Sequence, residues 1–169
     1  MDIIEKTTVK NNIVKCISVC GGLTGKFAKI LCSDESVFQE MMEDGKIRRI
    51  PVEVRMSDKS TKKIYLYELA GRAKAPSFPN MKEDDAKYIS ILNNCYCKFP
   101  DAQWLEKTDV KRLIVDTNLN GKLVPTMMFY HDNLLVAVYI HKTYAQLKDQ
   151  DRQMISEKLC VDKVLEYLY

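Results

Sequence analysis

Between Ile47 and Ala70, apolar and polar positions trade places almost residue by residue. Ile50, Val52, Val54 and Met56 fall on one side of an extended chain, with Arg49, Glu53 and Arg55 on the other. Ile64 and Leu66 oppose Lys63, Tyr65 and Tyr67 in the same way. The pattern predicts two strands, Ile47–Met56 and Lys62–Ala70, joined as a hairpin by the polar loop Ser57-Asp58-Lys59-Ser60-Thr61. Pro51 has no N–H to give to a ladder, so its strand is expected at a sheet edge or after a bulge.

Elsewhere the pattern changes period. The β-branched run Asn12–Val19 predicts a strand. Thr24 is placed to cap a short helical turn reaching Leu31. A clearer helix is expected over Asp34–Glu43, with Val37, Phe38, Met41 and Met42 as its apolar stripe and Gly45 as its stop. Ala73–Pro79 reads as a proline-containing connection. Asn80 and Glu83 have capping-box spacing for a helix to about Tyr96, with Tyr88, Ile91, Leu92 and Cys95 facing inward. Trp104 lies on a short amphipathic piece. Three strands are expected next, at Lys111–Val115, Lys122–Tyr130 and Asn133–His141. Asn120-Gly121 and Tyr130-His131-Asp132-Asn133 supply the tight turns. Thr143 opens a closing helical region, which Asp162 recaps as a last helix over Val161–Leu168. This order predicts a single α+β domain with a mainly antiparallel sheet and helices packed on one face.

Composition narrows the class. The chain has 169 residues, of which 46% are hydrophobic and 29% charged, enough for one domain with its own core. The charged N-terminus lacks the apolar stretch of a secretory signal. The longest apolar run, Leu134–Ile140, is too short to span a bilayer, so no membrane partner is expected. The spacing of Cys16, Cys20, Cys32, Cys95, Cys97 and Cys160 matches no standard zinc motif, with only His131 and His141 as further soft ligands. They read as small buried hydrophobes in a cytoplasmic or other reducing compartment, and no cofactor is expected.

Several stretches approach enzyme motifs without completing them. Gly21 to Gly25, followed by Lys26, is one residue shorter than a phosphate-binding loop, and Phe27 stands where a hydroxyl would hold magnesium. A turn and helix start explain the same residues. Asp116–Gly121 has the first half of a calcium loop, but Met127 stands where the bidentate Glu belongs. Over six residues, Leu113–Asn118 resembles the first-strand motif of PIN-type nucleases, yet the residues after Asn118 read as hairpins. Pro100-Asp101 with Asp109 and Lys111 resembles the acid–acid–lysine pattern of restriction-type nucleases. That resemblance implies two acids and a lysine meeting on one metal, and an expected helix over Ala102–Thr108 leaves little room for it. A convergence of Asp101, Asp109, Asp116 and Asp132 in a cleft would support such an enzyme.

The uneven placement of charge is the feature that remains. Residues 45–75 carry nine basic and three acidic side chains, leaving the rest of the chain net negative. The candidate binding residues are Arg48, Arg49, Arg55, Lys62, Lys63, Tyr65 and Tyr67. Cations beside phenol rings suit an acidic protein surface, with Arg and Tyr as anchors. They also suit nucleic acid, with phosphates on the cations and bases on the rings. The leading expectation is a non-catalytic binding or regulatory module for an acidic protein partner. The alternatives are a nucleic-acid-binding protein using the same surface, and a small metal-dependent nuclease or nucleotide-binding enzyme.

Overall fold

A computed structural model describes residues 2–71 and 80–169. The expected Ala73–Pro79 connection lies outside the described residues. The chain divides into two compact units, Met1–Pro100 and Asp101–Tyr169. Its class is α+β, with mainly antiparallel pairing distributed over two four-stranded sheets.

The first unit opens with helix α1 (Ile3–Cys20), where a strand was expected over Asn12–Val19. β-propensity loses here to periodicity. Ile13, Cys16, Ile17 and Cys20 recur at three- and four-residue spacing and are all buried on one helical face. Asp2 caps the start by accepting from the Glu5 N–H at 2.7 Å. Gly21 stops the helix at φ +81°, its N–H donating to the Ile17 carbonyl at 2.9 Å. A two-residue strand β1 (Leu23–Thr24) then leads into helix α2 (Gly25–Leu31). The glycine-rich stretch is therefore a helix stop, a strand and a helix start. Its backbone is clamped by the buried Asn93, which donates to the Gly22 carbonyl at 2.8 Å and accepts from the Thr24 N–H at 3.0 Å.

Three residues separate α2 from helix α3 (Glu35–Glu43). Asp34 caps α3 by accepting from the Ser36 N–H, and Val37, Phe38 and Met41 are buried as the stripe requires. The end is a Schellman turn. The Gly45 N–H reaches the Met42 carbonyl at 3.0 Å, and the Lys46 N–H reaches Met41 at 2.9 Å.

Strands β2 (Ile47–Arg55) and β3 (Thr61–Leu69) form the expected hairpin. The sheet order is β1-β3-β2-β4, with β4 (Asn80–Lys82) running parallel to β2. The strand carrying Pro51 is thus internal by order. The expected edge position is therefore not found: among the described residues, Pro51 pairs with Tyr65 of β3, and β4 pairs with Glu53–Arg55 of the same strand. Helix α4 (Glu83–Lys98) begins at a Lys82 cap that makes no side-chain hydrogen bond, so the expected Asn80 cap gives way to a strand at that position. Val52, Val54, Leu66 and Met81 form the inner core of this sheet, with Ala86 and Ile89 of α4 packed on it. Leu92 and Cys95 are buried, as expected, and Tyr88 and Ile91 are half-buried.

The second unit departs further from expectation. Its elements are β5 (Gln103–Trp104), α5 (Lys107–Thr117), a 3-10 turn at Gly121–Leu123, β6 (Met127–His131), β7 (Leu134–His141), a 3-10 turn at Thr143–Ala145, α6 (Asp149–Leu159) and β8 (Lys163–Leu168). The sheet order is β5-β6-β7-β8, with β8 parallel to β7 through the α6 crossover. The expected strand at Lys111–Val115 is part of α5. Val110, Leu113 and Ile114 have helical spacing and pack on the core, while Val115 is exposed. Asn120-Gly121 starts a 3-10 turn instead of a hairpin. The tight turn lies at Asp132-Asn133, where φ is +51° and +63°. The expected last helix is strand β8. Asp162 does not cap a helix; its carboxylate accepts from the Leu135 N–H at 2.7 Å and so ties the strand start to β7. Val110, Met128, Ala137, Tyr139, Ile155 and Leu159 are among the residues that form this unit's core.

Candidate binding face on the hairpin

The hairpin's register sets which side chains share a face. Ile50 pairs with Leu66, Val52 with Ile64 and Val54 with Lys62, so these point to the α4 side. Arg49 pairs with Tyr67, Pro51 with Tyr65, Glu53 with Lys63 and Arg55 with Thr61, so these point outward. At the end near α3 the outer face is covered. The Phe38 ring lies 4.9 Å from that of Tyr67, and Ile47 is buried. Toward the tip, Arg49, Pro51, Glu53, Arg55, Thr61, Lys63 and Tyr65 are all exposed.

The seven candidate residues therefore separate. Arg49, Arg55, Lys63 and Tyr65 share the exposed outer face. The Arg49 guanidinium carbon sits 3.8 Å from the Tyr65 ring centroid. Such a cation–π contact is worth about 0.5–1 kcal/mol at an exposed site and fixes both side chains as one platform. Glu53 is the one acid that the two strands place on this stretch of the face. It approaches Lys63 only to 3.8 Å between exposed groups, a pairing too weak to consume the cation.

The other three candidates lie elsewhere. Arg48 is committed to Glu68, donating from Nε at 3.1 Å and Nη2 at 2.9 Å to the same carboxylate oxygen. Glu68 is 4% exposed, and a carboxylate that deep needs a fixed cation. Lys62 is exposed but points to the opposite side of the hairpin. Tyr67 has the outer parity but is half-buried against Phe38.

The tip is held in place. The Asp58 carboxylate accepts from the Ser60 hydroxyl at 2.6 Å and its N–H at 2.9 Å, which holds its carboxyl below the ordinary carboxylate range. Glu83 accepts from the Ser57 N–H at 2.7 Å and pairs with Lys87 at 2.8 Å. The Lys87 ammonium first, and then the Ser57 groups, pull the Glu83 carboxyl down to about 2. In sequence, Glu83 looks like a capping-box acid; in the fold it ties the hairpin loop to α4. The start of α2 also borders the face, since a Cβ on Gly25 would lie 3.8 Å from the Tyr65 carbonyl. Lys26, next in the chain, is exposed. Sequence reasoning misses it as a surface cation, because there it reads as the end of a failed phosphate loop.

The acids of the nuclease-like patterns do not assemble. Asp109 and Lys111 are two residues apart on α5, so they point to different sides of the helix. Asp109 faces Arg112 at 3.9 Å, and Asp132 stands in the β6–β7 turn beside His131 at 3.4 Å. Asp116 is near the end of α5 and not in a loop. Among the described residues, no group of three or more His, Cys, Asp or Glu is placed to hold a metal ion. Cys16, Cys20, Cys32 and Cys95 are buried, Cys97 is half-buried and Cys160 exposed. No helix among the described residues is long and apolar enough to cross a membrane.

No family model matches the chain, and no curated protein or solved structure matches it significantly.

Proposed function

We propose that this chain is a non-catalytic binding or regulatory module that meets an acidic protein surface through the outer face of its β2–β3 hairpin. One observation carries the reading: Arg49 stacks on a half-exposed Tyr65, and Lys63 and Arg55 follow on the same exposed face toward the hairpin tip. Arg and Tyr are the side chains that most often anchor protein interfaces. Here the cation–π contact has already ordered them, which lowers the entropy lost on binding. The neighbouring helix α3 supports a protein partner over a uniform polyanion. Its exposed positions include Glu35 and Glu43, and the helix contains no Lys or Arg. A partner bearing both signs of charge complements both elements, whereas phosphates would be repelled by the helix.

A second reading has its own observation. Arg49, Arg55 and Lys63 share the exposed face with the Tyr65 ring, and in a nucleic-acid-binding protein these cations would take phosphates while the ring takes a base.

Fluorescence anisotropy separates the two. The probes are a labelled glutamate-rich peptide that ends in a short lysine run and a labelled duplex of about 20 base pairs, each titrated at about 50 and about 150 mM salt. The protein reading expects peptide binding that Arg49→Glu with Lys63→Glu removes and Arg48→Met retains. The nucleic-acid reading expects duplex binding with a steep salt slope, lost in the same double variant. Flat titrations with both probes would defeat both readings.

A further inference from the structure

A concavity of the first unit lies where α1 and the end of α3 meet the base of the hairpin, away from its exposed tip. It is a hollow of about 500 Å³, within the range of small-molecule sites. Val14, Met41 and Leu69 provide its apolar wall, and Lys10, Lys46 and Asn11 its polar groups. Among the described residues, no carboxylate lines it. The cations are held in position by acids outside the lining. Lys10 donates to Glu40 at 2.8 Å, Lys6 contacts the same carboxylate, and Lys46 lies 3.4 Å from Asp44. The Glu40 hydrogen bond raises the affinity of Lys10 for its proton, so this cation persists through the neutral range. Lys46 makes the looser and more exposed of these pairings, which leaves it able to turn toward a new anion. Met41 is an adaptable wall residue.

We propose that this hollow binds a small organic anion with an apolar body, of the class of medium-chain carboxylates. The apolar body lies against Val14, Met41 and Leu69, and the carboxylate takes hydrogen bonds from Lys46 and the Asn11 amide, with Lys10 adding positive field. This site is independent of the hairpin face and does not require that reading to hold.

Isothermal titration of the full chain with octanoate, and with 1-octanol as the neutral counterpart, tests it. Saturable one-to-one octanoate binding is expected. It should weaken about fivefold in Lys46→Gln, the scale of one exposed ion pair, and disappear in Val14→Phe, which fills the hollow. Octanol should bind more weakly than octanoate by a similar factor. Absence of saturable binding, or undiminished binding in a Val14→Phe variant with wild-type circular dichroism, overturns the site. Equal affinity in Lys46→Gln, or equal affinity for octanol, overturns the recognition of an anion. If Val14→Phe does not fold, Lys46→Gln and the octanol comparison decide.

Discussion

Arg48 and Arg49 are adjacent in sequence and identical in type, yet the fold gives them opposite roles. Replacing Arg48 by Met keeps most of the side-chain stem and removes the charge that faces Glu68. The Glu68 side chain is only 6% exposed, so its carboxylate would lose two charge-assisted donors without gaining full hydration. Breaking a buried pair from one side typically costs about 3–5 kcal/mol. The Arg48 side chain is itself 42% exposed, so water reaches one end of the pair, and about 2–3 kcal/mol is the better expectation. Arg49→Met loses only the exposed contact with Tyr65, about 0.5–1 kcal/mol. The double variant Arg48→Met, Glu68→Leu should recover most of the loss, because it removes the stranded charge along with its partner. Urea unfolding followed by far-ultraviolet circular dichroism measures all three. Trp104 lies in the second unit, so its fluorescence reports separately on that unit. A wild-type midpoint for Arg48→Met, or a double variant less stable than the single, would refute the structural role assigned to Arg48.

Other expectations rest on the same geometry. Asn93→Leu should cost about 2–4 kcal/mol by urea titration, since the Gly22 carbonyl and Thr24 N–H are left without their partner; a loss below about 1 kcal/mol would mean that the clamp is dispensable. Glu40 and Glu83 are each held down to about 2, Glu40 by hydrogen bonds from Lys10 and Lys6 and Glu83 chiefly by Lys87 and Ser57. A carboxyl whose folded value lies below its ordinary 4.5 contributes stability above that pH and loses it as the pH falls toward 2. Thermal unfolding of Glu40→Gln should therefore depend less on pH between 4.5 and about 2 than that of the parent chain, and parallel curves would contradict this. With a thiol reagent at mildly alkaline pH, exposed Cys160 should react first. Cys97 should follow slowly, because burial pushes its thiol up to about 11, and Cys16 should react only on unfolding; prompt reaction of several thiols would contradict the packing described for α1 and α4.

The parts of the fold legible in the sequence are those where one period dominates. The hairpin alternates over nine residues in each strand, and α3 combines a stripe, an acidic cap and a glycine stop, so both stand where the pattern puts them. The pattern misleads where β-branched residues sit on a helical period. In α1 the pairs Ile13-Val14 and Cys16-Ile17 repeat every three to four residues, and that spacing outweighs their strand propensity. In β8 the reverse holds. Val164, Leu165 and Tyr167 form a short, nearly continuous apolar run whose residues are half-buried on either side of the strand, and a short run of that kind is indistinguishable from helix by period. Asp162 resembles a helix cap in sequence because its true partner, the Leu135 N–H, is 27 residues away.

The candidate face is half legible for a similar reason. Alternation places Arg49, Arg55, Lys63 and Tyr65 together, which is a local property of a strand pair. It carries no information on which outward residues a helix covers, so Tyr67 reads as available although Phe38 packs on it. Arg48 groups with the others by charge alone. Its commitment to Glu68 comes from register, which places the two directly opposite on the inner side.

The claim that the outer hairpin face is the binding surface is tested most directly by amide chemical-shift mapping. The full chain is labelled with nitrogen-15 and titrated with the glutamate-rich peptide, or with the duplex if that is what binds. The account predicts that the largest shifts cluster at residues 49–55 and 61–65, with Lys26 beside them. Shifts concentrated on α5, α6 or the hollow at Lys46, with the hairpin unmoved, would contradict it.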